Sequence, residues 1–282
     1  QITLHSYSEV EEVKGYIERK GAGIPVIAKI EKPEALDHID AILSAADGIM
    51  IARGDLGVEM NTEDVPIIQK KLIQMANQAG KIVITATQML ESMTEHLRPT
   101  RAEVTDVANA VLDGSDALML SAETSSGKYP LQAVKMMVRI IQKTEKSLAI
   151  KGAWAEQGTR KTDEPYAVAD AAVRAALDIK ARSIVAFTHS GYTARLVSKF
   201  RPPVPIMAFA TSDRVQRRLS LLWGVTPLMM RPHSHTDDMI AAVEKRLLEI
   251  GAVKKGDTVV IIASSPLSTS GRTNLMKLHR IE

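Results

Sequence analysis

Short runs of consecutive apolar residues alternate with longer stretches in which apolar positions recur every three or four residues. In the first half the apolar runs fall at residues 26–31, 48–53, 82–87 and 116–121 and predict strands. The stretches near 33–44, 62–79, 101–112 and 130–147 carry the helical period and predict helices. Runs such as Ile82-Val83-Ile84, apolar at successive positions, suit parallel strands covered on both faces, so the first half reads as a βα series with helices outside. Thr100 and Glu103, three residues apart, form a capping-box pattern that starts a helix at residue 101.

From residue 151 to 165 the pattern lapses into polar residues with Gly152, Gly158 and Pro165, the composition of a connection. Two domains follow, 1–150 and 151–282. The second predicts a helix at 166–177, a strand at 183–187, a helix at 193–200, a strand at 205–209, helices at 213–222 and 236–250, and a strand at 258–263. The alternating tail 274–281 predicts a last strand. The fold class is α/β throughout, and 282 residues with 45% hydrophobic content suffice for two cores.

Composition narrows the function classes. The net charge of +3 is spread without a block of like charge, and aromatic residues make up only 4%, which points away from nucleic acid and leaves anionic small molecules as the favoured ligands. No cysteine is present, so disulfides and thiolate metal sites are excluded. No run approaches 18 uninterrupted apolar residues, so no membrane partner is expected, and a cytoplasmic home fits. His38, His96, His189, His233, His235 and His279 have no metal-ligand spacing. Gln1 in place of a methionine is the start expected of an excerpt or a processed product.

The chemistry-bearing residues gather at strand ends. The two-residue period puts Lys29 and Glu31 on one face at the end of the first strand. The second strand ends in Ala52-Arg53-Gly54-Asp55-Leu56-Gly57, with a second carboxylate and glycines that admit a ligand to the backbone. Glu31 and Asp55 could share one hard cation, Mg²⁺ or Mn²⁺, which keeps waters and takes further ligands from a phosphorylated substrate. The third strand brings Thr85 and Thr87 to the same rim, where α/β barrels keep their active sites. Taken singly, Lys29 with Glu31 also reads as an ion pair, residues 53–57 as a turn and Thr87 as an ordinary strand residue; three successive strands delivering polar groups to one end favour a site. In the second half Thr188, His189, Ser190, Gly191, Tyr192 and Thr193 lie between a strand and a helix. This turn reads equally as a phosphate cradle and as a helix cap made by Ser190 or Thr193.

The runs IAKIEKPEAL, DGIMIARGDLGVEM, TATQMLESM and PTRAEVTDVANAVLDGSDALMLSAETSSGKYP resemble the consecutive signatures of the pyruvate kinases, closely over residues 24–130 and more weakly to the end. The resemblance implies the second half of a (β/α)8 TIM-type barrel followed by a regulatory α/β sheet domain. It implies phosphoryl transfer from phosphoenolpyruvate to ADP, the last step of glycolysis. Lys29 would then stabilise the transferring group, and Glu31 and Asp55 would hold Mg²⁺ (or Mn²⁺). Backbone N–H groups of Ala52, Arg53, Gly54 and Asp55 would meet the substrate carboxylate, and Thr87 would place the substrate and deliver a proton. Thr188, Ser190, Gly191, Tyr192 and Thr193 would hold the phosphate of a sugar-phosphate or nucleotide effector, with the loop 264–273 closing over it. A homotetramer is the usual assembly, and K⁺ the usual monovalent ion.

The first barrel strands, the lid domain, an upstream arginine and the K⁺ ligands of that family do not occur in these residues, and the opening QITLHSYSEVEEV has a shortened or altered strand. Half a barrel would leave sheet edges open, so residues 1–282 alone are expected to fold poorly and to be inactive. The alternative is a catalytically incomplete chain that keeps an effector-binding domain. A phosphoenolpyruvate-dependent lyase, which would form pyruvate without converting ADP to ATP, is the other enzyme class compatible with the same lysine and metal logic.

Overall fold

The computed structural model describes residues 2–3, 6–151, 163–233, 235–264 and 272–282. The chain divides into two compact units, Gln1–Lys151 and Gly152–Glu282. Most of the connection expected at 151–165 lies outside the described residues.

The first unit is a five-stranded parallel sheet whose strands stand in sequence order: β1 (Ile2–Thr3), β2 (Ile27–Ile30), β3 (Gly48–Ala52), β4 (Ile82–Ala86) and β5 (Ala117–Leu118). Its helices are α1 (Tyr7–Arg19), α2 (Glu34–Asp37), α3 (Ile39–Ala45), α4 (Arg53–Glu59), α5 (Val65–Gln78), α6 (Arg101–Asp113), α7 (Ala122–Ser125) and α8 (Pro130–Lys151). In β2 and β4 the burial alternates. Ala28, Ile30 and Val83 are fully buried and pack with helix residues such as Ile42, Leu72 and Ile73, whereas Ile27, Lys29, Ile82 and Ile84 are only partly covered. β3, in the middle, is buried at all five positions. Each fully buried isoleucine there contributes about 1.5–3 kcal/mol. Asp47 and Asp116 set the register: their carboxylates accept the backbone N–H groups of Val26 and Val83, and their own N–H groups donate to the carbonyls of the same two residues.

Several boundaries differ from the sequence expectation for physical reasons. The helix expected at 33–44 breaks at His38 (φ −114°, ψ 14°) into α2 and α3. The helix expected from Thr62 begins as a 3₁₀ turn at Thr62–Asp64, and α5 proper starts at Val65. Pro66 sits in the first turn of α5, where its missing N–H costs nothing. The stretch read as a turn after Arg53 is the helix α4. The strand expected at 116–121 pairs as a ladder only at Ala117 and Leu118. The capping box of α6 is present as expected.

The second unit holds α9 (Glu164–Asp178), β6 (Ser183–Thr188), α10 (Tyr192–Lys199), β7 (Ile206–Ala210), α11 (Asp213–Leu219), β8 (Val225–Met229), α12 (Thr236–Glu249), β9 (Thr258–Ala263) and β10 (Leu275–Arg280). The sheet order is β10-β9-β6-β7-β8, all parallel except the antiparallel pair of β9 with β10. β8 was not expected from the sequence, because Pro227 interrupts it; it lies at the sheet edge, where a missing N–H is tolerated. Val185, Phe209, Val243, Leu247 and Ile261 form the core between sheet and α12.

Candidate functional site at the strand ends

Lys29 lies on the partly covered face of β2, and Glu31 follows on the same side. β3 ends at Ala52 and α4 begins at once, which carries Asp55 into the first helical turn. The Lys29 ammonium donates to Asp55 Oδ2 at 2.7 Å and to Glu31 Oε2, so both carboxylates converge on one point. The side chains of Lys29 and Glu31 are 20% and 14% exposed and that of Asp55 is 52% exposed, so the cluster opens to solvent on the Asp55 side. Burial works against the ammonium, but its hydrogen bonds to Asp55 and Glu31 and the attraction of their charges outweigh it. The Lys29 pKa is therefore held above its ordinary value.

Thr87 is not a strand residue. β4 stops at Ala86, and Thr87 and Gln88 take φ values of 70° and 52°. A β-branched residue in the left-handed region is an outlier that costs on the order of 1–3 kcal/mol and needs holding in place. Its hydroxyl accepts the N–H of Gly54 at 2.8 Å and donates to the Ala86 carbonyl at 2.6 Å. Thr85, expected at the same rim, is instead fully buried and bonded to Ser115 Oγ at 2.7 Å. The structure thus brings Lys29, Glu31, Asp55, Gly54 and Thr87 together and leaves Thr85 out.

Sequence reasoning missed the supports of this cluster. The Arg53 guanidinium donates to the carbonyls of Thr87 (2.6 Å) and Ala86 (3.3 Å), to Asp106 Oδ1 (2.6 Å) and to Gln69 Oε1 (3.3 Å). Gln69 could have been noticed as a polar residue on the apolar stripe Val65, Leu72, Ile73 and Ala76 of α5. Asp106 carries no such signal. Among the described residues no group of three or more His, Asp or Glu side chains is placed to hold a metal ion.

In the second unit the chain leaves β6 toward β7 on one side and returns to β9 on the other. That reversal makes the carboxyl ends of β6 and β9 a topological switch point, the usual ligand crevice of an open α/β sheet. Thr188 ends β6, and its hydroxyl accepts the N–H of Gly191, which sits at φ 91° ahead of α10. Ser190 Oγ accepts from the N–H of Tyr192 at 3.4 Å, and the buried Thr193 hydroxyl bonds Thr273 Oγ1 at 2.8 Å. The N-cap of α10 is Gly191, so neither Ser190 nor Thr193 fills that position. Residues 265–271 of the loop expected to close here lie outside the described residues.

A barrel-type parallel unit with a lysine and two carboxylates at its strand ends, followed by an open α/β sheet unit, defines the class of this chain. Two family models match it in tandem, "Pyruvate kinase, barrel domain" over residues 4–134 and "Pyruvate kinase, alpha/beta domain" over 166–279. The chain belongs to the pyruvate kinase family. It is 48% identical over 279 residues to a pyruvate kinase of Mycobacterium tuberculosis (strain CDC 1551 / Oshkosh), an alignment covering 99% of this chain and 58% of that protein. A pyruvate kinase of Geobacillus stearothermophilus is 47% identical over 276 residues, with 97% and 47% covered. The crystal structure of a pyruvate kinase from Cryptosporidium parvum matches with a TM-score of 0.92 at 37% identity, covering 99% of this chain and 57% of that one. The chain thus spans about half the length of the curated relatives it matches.

Proposed function

We propose that this chain supplies the Lys29 side of the active site and the regulatory unit of a pyruvate kinase, which moves the phosphoryl group of phosphoenolpyruvate to ADP and yields pyruvate and ATP. The observation that carries the reading is the convergence of Lys29, Glu31 and Asp55 beside the Thr87 hydroxyl and the first turn of α4. Phosphoryl transfer through a loose transition state needs positioning and positive charge more than covalent help, and a lysine whose pKa is raised stays charged throughout the neutral range.

The donor set fits Mg²⁺ or Mn²⁺. Glu31 and Asp55 offer hard oxygens that already meet around a cation, and such ions complete their shell with water and substrate oxygens. When bound, the ion would neutralise charge on the phosphoryl oxygens. The chain's own residues do the rest. Lys29 Nζ faces the transferring group, and backbone N–H groups at the start of α4, within residues 52–55 but apart from that of Gly54, receive the substrate carboxylate. Thr87 Oγ1, fixed by Gly54 and Ala86, positions the enol and relays the proton its carbon takes up. K⁺ held by ligands outside these residues, homotetrameric assembly and a cytoplasmic glycolytic role belong to the same reading.

The switch-point turn 188–193 favours a second role, recognition of a sugar-phosphate or nucleotide effector, which a catalytically incomplete chain would keep. The test is production of pyruvate from phosphoenolpyruvate by the complete protein that carries this chain, with intact mass measured alongside. ADP-dependent turnover that Lys29→Met removes supports the enzyme. Pyruvate formed without ADP, or none at all, overturns it.

A further inference from the structure

Arg53 and Gly54 are adjacent, and both hold Thr87. The Gly54 N–H fixes its hydroxyl, and the Arg53 guanidinium fixes its carbonyl at 2.6 Å and that of Ala86 at 3.3 Å. The residue clamped in this way is the β-branched one at φ 70°, followed by Gln88 at φ 52°. Two such residues in succession persist only where surrounding contacts outweigh the strain. The Arg53 side chain is 10% exposed, and its remaining donors go to Asp106 at the middle of α6 and to Gln69 on α5. Gln69 is itself buried and donates to Asp113, which also receives Lys70. The guanidinium is thus aimed through its hydrogen bonds at the backbone behind Thr87, and two helices fix it there.

We infer that Arg53 is a positioning residue that sets the orientation of the Thr87 hydroxyl by clamping its left-handed backbone, with Asp106 and Gln69 orienting the clamp. The inference rests on the reading that Thr87 serves phosphoryl transfer from phosphoenolpyruvate. Its physical basis is the planar fork of arginine, which reaches two successive carbonyls and two side-chain acceptors at once. A lysine ammonium carries the same charge but not that geometry. Asp106 holds the charge balance: without it the largely covered guanidinium loses a carboxylate partner.

The test uses the complete protein that carries this chain. Arg53→Lys lowers kcat about 10- to 100-fold, the range that a misplacement of about 1 Å produces, while KM for phosphoenolpyruvate stays within about threefold. Arg53→Ala is rescued by millimolar methylguanidinium, because the cleft of about 420 Å³ lined by Arg53, Gln69, Gln88 and Asp106 has room for it; urea at the same concentration does not rescue. In a double-mutant cycle, Arg53→Lys adds no further loss to Thr87→Val. Additive losses, a defect carried by KM, or Arg53→Lys turnover within about twofold of the parent overturns the inference. A protein that lacks pyruvate kinase activity fails the functional reading instead, and the clamp is then read by hydrogen exchange. The Gly54 amide, which donates to Thr87, exchanges at least about tenfold faster in Arg53→Lys at an unchanged Tm; unchanged exchange refutes the clamp. If the Arg53 variants do not fold, Asp106→Asn carries the same kinetic and exchange tests.

Discussion

Glu103 is the place where one isosteric change has the most legible cost. Its carboxylate accepts four hydrogen bonds: Ser92 N–H at 2.7 Å through Oε1, and Ser92 Oγ at 2.5 Å, Thr100 N–H at 2.7 Å and Thr100 Oγ1 at 2.9 Å through Oε2. It thereby closes the capping box of α6 and ties the 3₁₀ turn Glu91–Thr94 to that helix. Glu103→Gln replaces one acceptor oxygen with an NH₂ among donors. The least harmful orientation turns that NH₂ toward Ser92 N–H, which strands one partly buried amide at about 1–3 kcal/mol and removes the charge from the three remaining bonds. A loss of about 2–3 kcal/mol at pH 7 is expected in the local stability of the first turn of α6. The pH dependence separates this cause from packing. Burial opposes the charge of Glu103, but the bonds from Ser92 and Thr100 outweigh it and hold its pKa below the ordinary carboxylate value. A lowered folded pKa contributes stability that is present above the unfolded value, about 4.3, and is lost as the pH falls through the folded one. The gap between parent and variant should therefore be constant above about pH 5 and shrink below about pH 4. Amide hydrogen exchange of residues 100–104 measures it. A difference under about 0.5 kcal/mol at pH 7, within the scatter of ordinary surface substitutions, or a gap unchanged on acidification, would refute the reasoning.

Further outcomes follow from other residues. In the complete protein Lys29→Met should lower phosphoryl-transfer turnover by about 10²–10³, the worth of one preorganised charge-stabilising donor; a steady-state assay showing less than tenfold loss would remove Lys29 from its assigned role. A β-carbon on Gly48 would lie 2.6 Å from the Ile82 carbonyl oxygen and 2.8 Å from Ile27 Cδ1. Gly48→Ala should therefore destabilise the first unit by about 1–3 kcal/mol in denaturant melts, since neither neighbouring strand can move aside. In the second unit burial opposes the Glu244 charge, but His279, whose Nε2 lies 2.6 Å away, and the Glu282 N–H outweigh it and lower the pKa. Glu244→Gln should weaken the packing of β10 on α12 by about 1 kcal/mol at neutral pH, and the difference should vanish as the parent's carboxylate protonates in acid. Melting curves from pH 3 to 7 decide it.

The elements with a strong period were legible in the chain itself: the buried runs that became β3, β4, β6 and β9, and the amphipathic stretches that became α6, α8 and α12. The convergence at the strand ends was legible too, because Lys29, Glu31 and Asp55 follow apolar runs at equivalent ends. What escaped depended on backbone geometry or on partners distant in sequence. Thr87 looks like a strand residue by propensity, and its φ of 70° goes with contacts from Arg53 and Gly54 that are distant in sequence. Thr85, expected at the rim together with Thr87, shares the buried face of Val83 and bonds Ser115, while Thr87 leaves that face because β4 ends at Ala86. Pro227 hid β8, since a proline argues against a strand unless the strand is known to be an edge.

The strand orders of the two sheets also set different schedules for a chain emerging from the ribosome. In the first unit every strand pairs with the one just made, so the sheet can grow residue by residue behind the exit tunnel. In the second, β6 gains β7 promptly but has to wait for α11, β8 and α12 to be synthesised before β9 arrives to cover its other edge. Until then the apolar run Ser183–Thr188 presents an unpaired border, the feature that draws aggregation and chaperones alike. Slow translation through 213–249 would lengthen that interval, during which this border of the second sheet stays open.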